Sequence, residues 1–291
     1  MRNRELLIGT CVLALVATAE AGDIVRCGQP VERGETAVLQ VDLDCTTALG
    51  TCVGDPTLPC TGTSDPSCPQ LVDGADLSRF CEHSWVVLPS GATLELNGHR
   101  LIGQKADLGG GVGGHSGVTC TGRRCTVNGP GQIDDFLGCG VHGYYTRVAV
   151  QNVTFDNNGC GIGGNAPIRL NAEDVTITGS ELYGIGSAKT VRGRNVTTSG
   201  NGADGLTAST VKIDGLTATG NGFGPSAGFG GAGVWAGRMS LANATITGNN
   251  GYDQGLDVMA AKRPRFENVI CGRSALFVDH VGPPWAVCAN D

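Results

Sequence analysis

The feature that most constrains this chain is a phrase that returns about every 21–22 residues. An alternating stretch ending in Asn-Val-Thr or a close variant appears as VAVQNVTF (148–155), LNAEDVTI (170–177), VRGRNVTT (191–198), VKIDGLTA (211–218), MSLANATI (239–246) and PRFENVIC (264–271). Its threonines fall at Thr154, Thr176, Thr197, Thr217 and Thr245, with spacings of 22, 21, 20 and 28. A second phrase, glycine followed by one apolar residue, recurs at Val141, Ile162, Ile185, Leu206, Val234 and Leu256. Both lengthen to 28 at the same place, so a single insertion around 222–231 accounts for both.

A repeat of this length, built from short strands and turn residues, points to a solenoid. Glycine numbers 48 of 291 residues, a load that helical repeats do not tolerate. A leucine-rich repeat shares the period, but its leucine signature is absent. The pattern predicts an all-β right-handed parallel β-helix of about eight or nine coils, with equivalent residues stacked about 4.8 Å apart. Apolar columns follow: Val148, Leu170, Val191, Val211 and Met239, and two residues on Val150, Ala172, Ile213, Leu241 and Phe266, broken by Gly193. Asn152, Asn195, Asn243 and Asn268 form a further column, with Asp174 and Gly215 in the same place. Three of these asparagines lie in N-x-T sequons, but the stacking reads as a polar ladder that caps corner backbone groups. Cys139 and Cys160, 21 residues apart, occupy one position on consecutive coils and are expected to be disulfide-linked. Cys120–Cys125 would close a small loop, and Cys271–Cys288 would pin the C-terminal end.

The start of the chain reads differently. Met1 to Arg4 is basic, Leu6 to Ala17 is apolar but too short to span a bilayer, and Ala19-Glu20-Ala21 is an A-x-A site. Residues 1–21 therefore read as a secretory signal peptide. Its removal takes Cys11 from the 13 cysteines and leaves an even set, the arithmetic of disulfides in an oxidising compartment. Residues 22–84 carry six of them in a stretch poor in large apolar groups and read as a Cys-rich N-terminal cap, with 85–291 as the β-helix. The protein is expected to be secreted, extracellular, periplasmic or at the cell surface, monomeric and without a membrane span. A net charge of −7 lends no support to nucleic-acid binding.

The stretch VVLPSGATLELNGHRLIG (86–103), with the later NGADGL (201–206) and NNGYDQGLDV (249–258), resembles secreted bacterial β-helix proteins of the pectate-lyase-like superfamily and their carbohydrate-binding and sugar-hydrolase repeats. That resemblance implies a polysaccharide partner, with lyase, C5-epimerase, hydrolase and non-catalytic members all within its range. No catalytic pattern of the superfamily is intact. Gly251-Tyr252-Asp253-Gln254 lacks the Pro-His of the alginate-type epimerases. Asp134-Asp135 matches only the paired aspartates of polygalacturonases. Lys262-Arg263-Pro264-Arg265 does not satisfy the Arg-x-Pro-x-x-Arg of pectate lyases.

Acid–base chemistry on a uronate needs a base, a proton donor and a cation. Asp253, Asp257, Tyr252, Arg263 and His142 are the candidates for those roles, with His142 and Asp257 taken as equivalent positions after the inward apolar residue. Tyr144, Tyr145, Trp235 and Lys262 are the candidate substrate-binding residues, the aromatics as stacking platforms for sugar faces. No motif calls for a cofactor, although a lyase would admit calcium. Arg192, Lys212 and Arg265 share one outward column, and Glu173, Arg194, Asp214 and Glu267 the next. They read as a salt-bridged face, with a cationic strip for an anionic polysaccharide as the alternative. Three classes therefore stand: a polysaccharide-processing enzyme, a non-catalytic glycan-binding protein, and a structural envelope component.

Overall fold

A computed structural model describes residues 21–46, 51–52, 55–59, 83–105, 115–164, 167–224, 231–250, 255–276 and 284–291. Residues 1–20 of the expected signal peptide 1–21, Cys60, Cys68, Cys81, Tyr252 and Asp253 lie outside them. The described residues are all β, without a helix, and their strands join into one curled sheet paired almost entirely in parallel. This arrangement is compatible with a parallel β-helix. Among the described residues no helix is long and apolar enough to cross a membrane.

Three ladders run through the sheet. The first stacks Val86, Val118, Val141, Ile162, Ile185, Leu206, Val234, Val258 and Ser274. The second stacks Ala37, Leu94, Val127, Val150, Ala172, Gly193, Ile213, Leu241 and Phe266. The third stacks Leu43, Leu101, Ile133, Phe155, Ile177, Thr198, Ala218, Ile246 and Cys271. Most of these side chains are buried in one continuous core. Period-2 alternation within each strand puts the apolar residues inward, and the repeat length puts them in columns.

The register corrects one sequence reading. Val258, not Leu256, follows Val234 in the first ladder, so Met259 stands beside Trp235 and Asp257 is not the equivalent of His142. Leu256 instead joins a small separate cluster with Ala232, Met259 and Ala275, against which Trp235 packs.

Two local devices set the corners. Between the second and third ladders the chain turns through one left-handed residue per repeat: Asn152, Asp174, Asn195, Gly215, Asn243 and Asn268, with φ between 50° and 75°. Asparagine, aspartate and glycine tolerate this region better than other residues. The side chains pair along the stack, Asn195 Nδ2 donating to Asp174 Oδ1 at 2.7 Å and Asn243 Nδ2 to Asp214 Oδ1 at 2.8 Å. At the other corner glycine precedes the first-ladder residue because nothing larger fits. A Cβ on Gly161 would lie 2.4 Å from Ile177 Cγ2 and 2.6 Å from the Gly184 carbonyl oxygen.

Disulfides join Cys27–Cys45, Cys120–Cys125, Cys139–Cys160 and Cys271–Cys288, a set suited to an oxidising compartment. Cys139 and Cys160 are register partners on adjacent strands. Replacing both by serine is expected to cost about 2–4 kcal/mol, measured as a lower urea midpoint; an unchanged midpoint would refute a stabilising role for the bridge. Within the stretch 22–84, Ala21–Ile24 and Thr36–Leu39 pair in parallel, and Thr36–Leu39 pairs onward to Thr93–Glu95. Thr36–Leu39 thus continues the second ladder and Leu43–Asp44 the third, while Thr51–Cys52 pairs antiparallel with Asp55–Pro59 and His83–Leu88.

Candidate functional site

The column beside the first ladder passes through Thr119, His142, Gly163, Thr207, Trp235 and Met259, of which only Thr207 and Trp235 are half-buried and the rest buried. Small residues in its middle leave room for aromatic rings. Tyr183 packs over Gly186, where an added Cβ would meet its ring at 2.9 Å. Tyr144 stacks on His142, with centroids 4.9 Å apart and planes 23° from parallel. Tyr145 is 78% exposed and sits at φ 45°, an outlier for a bulky side chain. The backbone thus holds an aromatic ring out into solvent beside the Tyr144–His142 stack.

His142 itself is buried, with Ser116 Oγ 3.5 Å from its Nδ1. Burial pulls its pKa down to about 4, so the ring is neutral at physiological pH. Asp257 is likewise buried. Its Oδ1 accepts from Asn249 N at 3.0 Å and Asn249 Nδ2 at 2.9 Å, and its Oδ2 from Gly272 N at 2.7 Å and Arg273 N at 3.2 Å. It ends a buried amide ladder: Asn201 Nδ2 donates to Asn221 Oδ1, and Asn221 Nδ2 to Asn249 Oδ1, each at 2.8 Å. Lys262 and Arg263 are exposed in the connection that follows Val258–Ala260. The Asp257 carboxylate is therefore committed to the ladder and the Gly272-Arg273 backbone. Trp235 is half-buried against the small cluster. Tyr252 and Asp253, the other candidates of this segment, fall outside the described residues.

Asp134 and Asp135 do not stand free as a hydrolytic pair. Asp134 is buried and ion-paired with Arg100; burial raises its pKa, a rise that Arg100 opposes. Asp135 Oδ1 accepts from Asn157 Nδ2 at 2.5 Å.

One carboxylate escaped the sequence reading. Asp204 is fully buried, and its Oδ1 accepts from Gly231 N at 2.7 Å and Ala232 N at 2.8 Å. Its Oδ2 accepts from Thr207 Oγ1 at 2.8 Å. Burial pushes its pKa up to about 6 against the opposing effect of these bonds. Asp204 fastens the far side of the insertion to the first-ladder face, next to Trp235's neighbour Thr207. Its only sequence signal is its place in NGADGL, a phrase that carries the superfamily resemblance but does not mark the aspartate as a buried anchor.

The fold and this face define an all-β, parallel-stranded, disulfide-bonded protein with aromatic rings along one column. Comparison with family models, with curated proteins and with solved structures finds no match to the chain.

Proposed function

We propose that this chain is a secreted right-handed parallel β-helix protein of the pectate-lyase-like kind that acts as a non-catalytic polysaccharide-binding platform. The observation that carries the reading is Tyr145, an aromatic ring 78% exposed on a left-handed residue. Strain of that kind is retained where surroundings or function require it. A tyrosine face offers an apolar platform with a polar rim, suited to sugar rings. The choice of binding over catalysis rests on the state of the candidate acids and bases: His142 is buried and neutral, Asp257 ends an internal ladder, and Asp134 is paired with Arg100. Processing by β-elimination, epimerisation or hydrolysis is the competing reading.

The test is affinity electrophoresis of the full chain through gels containing neutral and acidic polysaccharides, alongside assays for unsaturated-uronate absorbance and new reducing ends, with and without calcium. Retardation without product is expected. Tyr145→Ala is expected to weaken it about three- to tenfold, the range of one aromatic contact. Product in either chemical assay would replace the binding reading with an enzymatic one.

A further inference from the structure

The second ladder carries an unexpected charge pattern on its outward face. Arg124, Arg147 and Arg169 are register partners on three successive rungs. Two residues along the strand, Arg192 and Lys212 are partners on the next two. Arg238 follows in the first column, aligned with Thr210, and Arg265 in the second, aligned with Ser240. Seven consecutive rungs thus each contribute one cation, and all seven side chains are exposed. None of them forms an ion pair among the described residues. The expected salt-bridged face is reduced to a single pair, Arg194 with Glu173, inside one column.

Three acids of the adjoining column are engaged by other partners, and the exposed Glu267 also borders the row. Glu95 accepts from Asn128 at 2.8 Å, Glu173 holds Arg194, and Asp214 accepts from Asn243 at 2.8 Å. At the C-terminal half of the row the surface dips into a concavity of about 670 Å³, with Arg192, Lys212 and Arg265 on its wall beside Asp214 and Glu267. An overall charge of −7 makes the segregation more pronounced, since seven of 20 Lys and Arg residues share one stripe.

From this geometry we propose that the outward face of the second ladder is a rail for a linear acidic polysaccharide lying along the stack, perpendicular to the strands. The inference deepens the glycan-binding reading and rests on it. With rungs about 4.8 Å apart, the rail spans roughly 29 Å and offers one positive group per step. That periodicity suits a chain bearing one carboxylate per sugar. A DNA duplex presents the phosphates of each strand about 3.4 Å apart along its axis and falls out of step. A membrane would meet the whole face, including the acidic column that borders the rail. Six of the seven cations are arginines, whose planar guanidinium matches a carboxylate in bidentate fashion. Tyr145 lies two residues before Arg147, so the exposed ring stands at the rail's edge.

Calorimetric titration of the full chain tests the rail. The probes are polygalacturonate, its fully methyl-esterified form, and poly-dT. Polygalacturonate is expected to bind, with affinity falling as salt is raised. The triple variant Arg147→Glu, Arg192→Glu, Lys212→Glu is expected to lose at least about tenfold, since each exposed contact contributes up to about fivefold. Arg147→Lys and Arg192→Lys should retain most binding, and Arg194→Ala should change little. Circular dichroism confirms that the variants fold. Equal binding of the charged and esterified polymers, untouched by charge reversal, overturns the rail and leaves glycan binding standing. Poly-dT binding as tightly as polygalacturonate overturns the polysaccharide as occupant. A parent that binds neither sugar polymer overturns the rail and the glycan-binding reading together.

Discussion

Asp257→Ala is expected to destabilise the C-terminal rungs by about 4 kcal/mol or more, an exceptional loss for one side chain. The carboxylate satisfies four donors: the Asn249 backbone and side-chain N–H groups and the backbone N–H groups of Gly272 and Arg273. Removing it strands the two Asn249 donors in a buried site and the Gly272 and Arg273 N–H groups in a partly buried one, where each unmet buried group costs about 1–3 kcal/mol. Water can enter the vacated space only in part, because the carboxylate lies so close to the backbone. A Cβ on Gly272 would come within 2.5 Å of Asp257 Oδ2. Asp257→Asn is expected to fall between parent and alanine: one amide oxygen can still accept from Asn249, but the amide nitrogen then faces two further N–H donors. In a stack where each repeat touches only its neighbours, the damage should be local. Hydrogen exchange should accelerate at Asn249, Gly272 and Arg273 while the rungs around Val150 and Leu170 stay protected. Parent-like exchange in Asp257→Ala would mean that the ladder does not depend on its terminator.

That residue also shows where reading the sequence stops. The columns Val148–Leu170–Val191–Val211–Met239 were legible because alternation and repeat length act together, and each repeat confirms the last. Cys139 and Cys160 were legible for the same reason. The register was lost at the final step because Val234 and Val258 are 24 residues apart, while Leu256 offers a glycine-plus-apolar match at 22. Asp257 therefore looked like the equivalent of His142 and a candidate for acid–base chemistry. No local pattern reports that backbone N–H groups from Gly272 and Arg273 converge on its carboxylate, or that Gly231 and Ala232 converge on Asp204. Those donors come from chain segments 15 to 28 residues away. The cation rail was half visible. Arg124, Arg147 and Arg169 keep the repeat spacing, but they sit ahead of the recurring Asn-Val-Thr phrase and were not stacked with Arg192, Lys212 and Arg265 until the strand pairing placed them.

Asp204→Asn is expected to change the pH dependence of stability strongly. The native carboxyl ionises near pH 6 because burial opposes its charge, against an ordinary value of 3.8 in the unfolded chain. Between those values the unfolded state releases its proton and the native state keeps it. Native stability therefore falls as pH rises from about 4 to 6, by about 3 kcal/mol in all, and stays low above that. His142 works in the opposite sense. Its native pKa is pulled to about 4 from 6.5, so its contribution rises over nearly the same interval as the unfolded imidazole loses its proton. In the parent the two slopes offset each other. Asparagine at 204 keeps an oxygen for Gly231 N and Ala232 N and turns an amide toward Thr207 Oγ1, which can accept. The variant should then show the His142 slope uncovered, with stability climbing from pH 4 to 6.5. At pH 7.5 it should match or exceed the parent. The measurement is urea unfolding of parent and variant at half-unit pH steps from 4 to 8, read as the difference between the two. A difference that does not grow between pH 4 and 6 would mean that Asp204 ionises as readily in the native protein as in the unfolded chain. The insertion it fastens would then be held by a solvated carboxylate, contrary to its full burial.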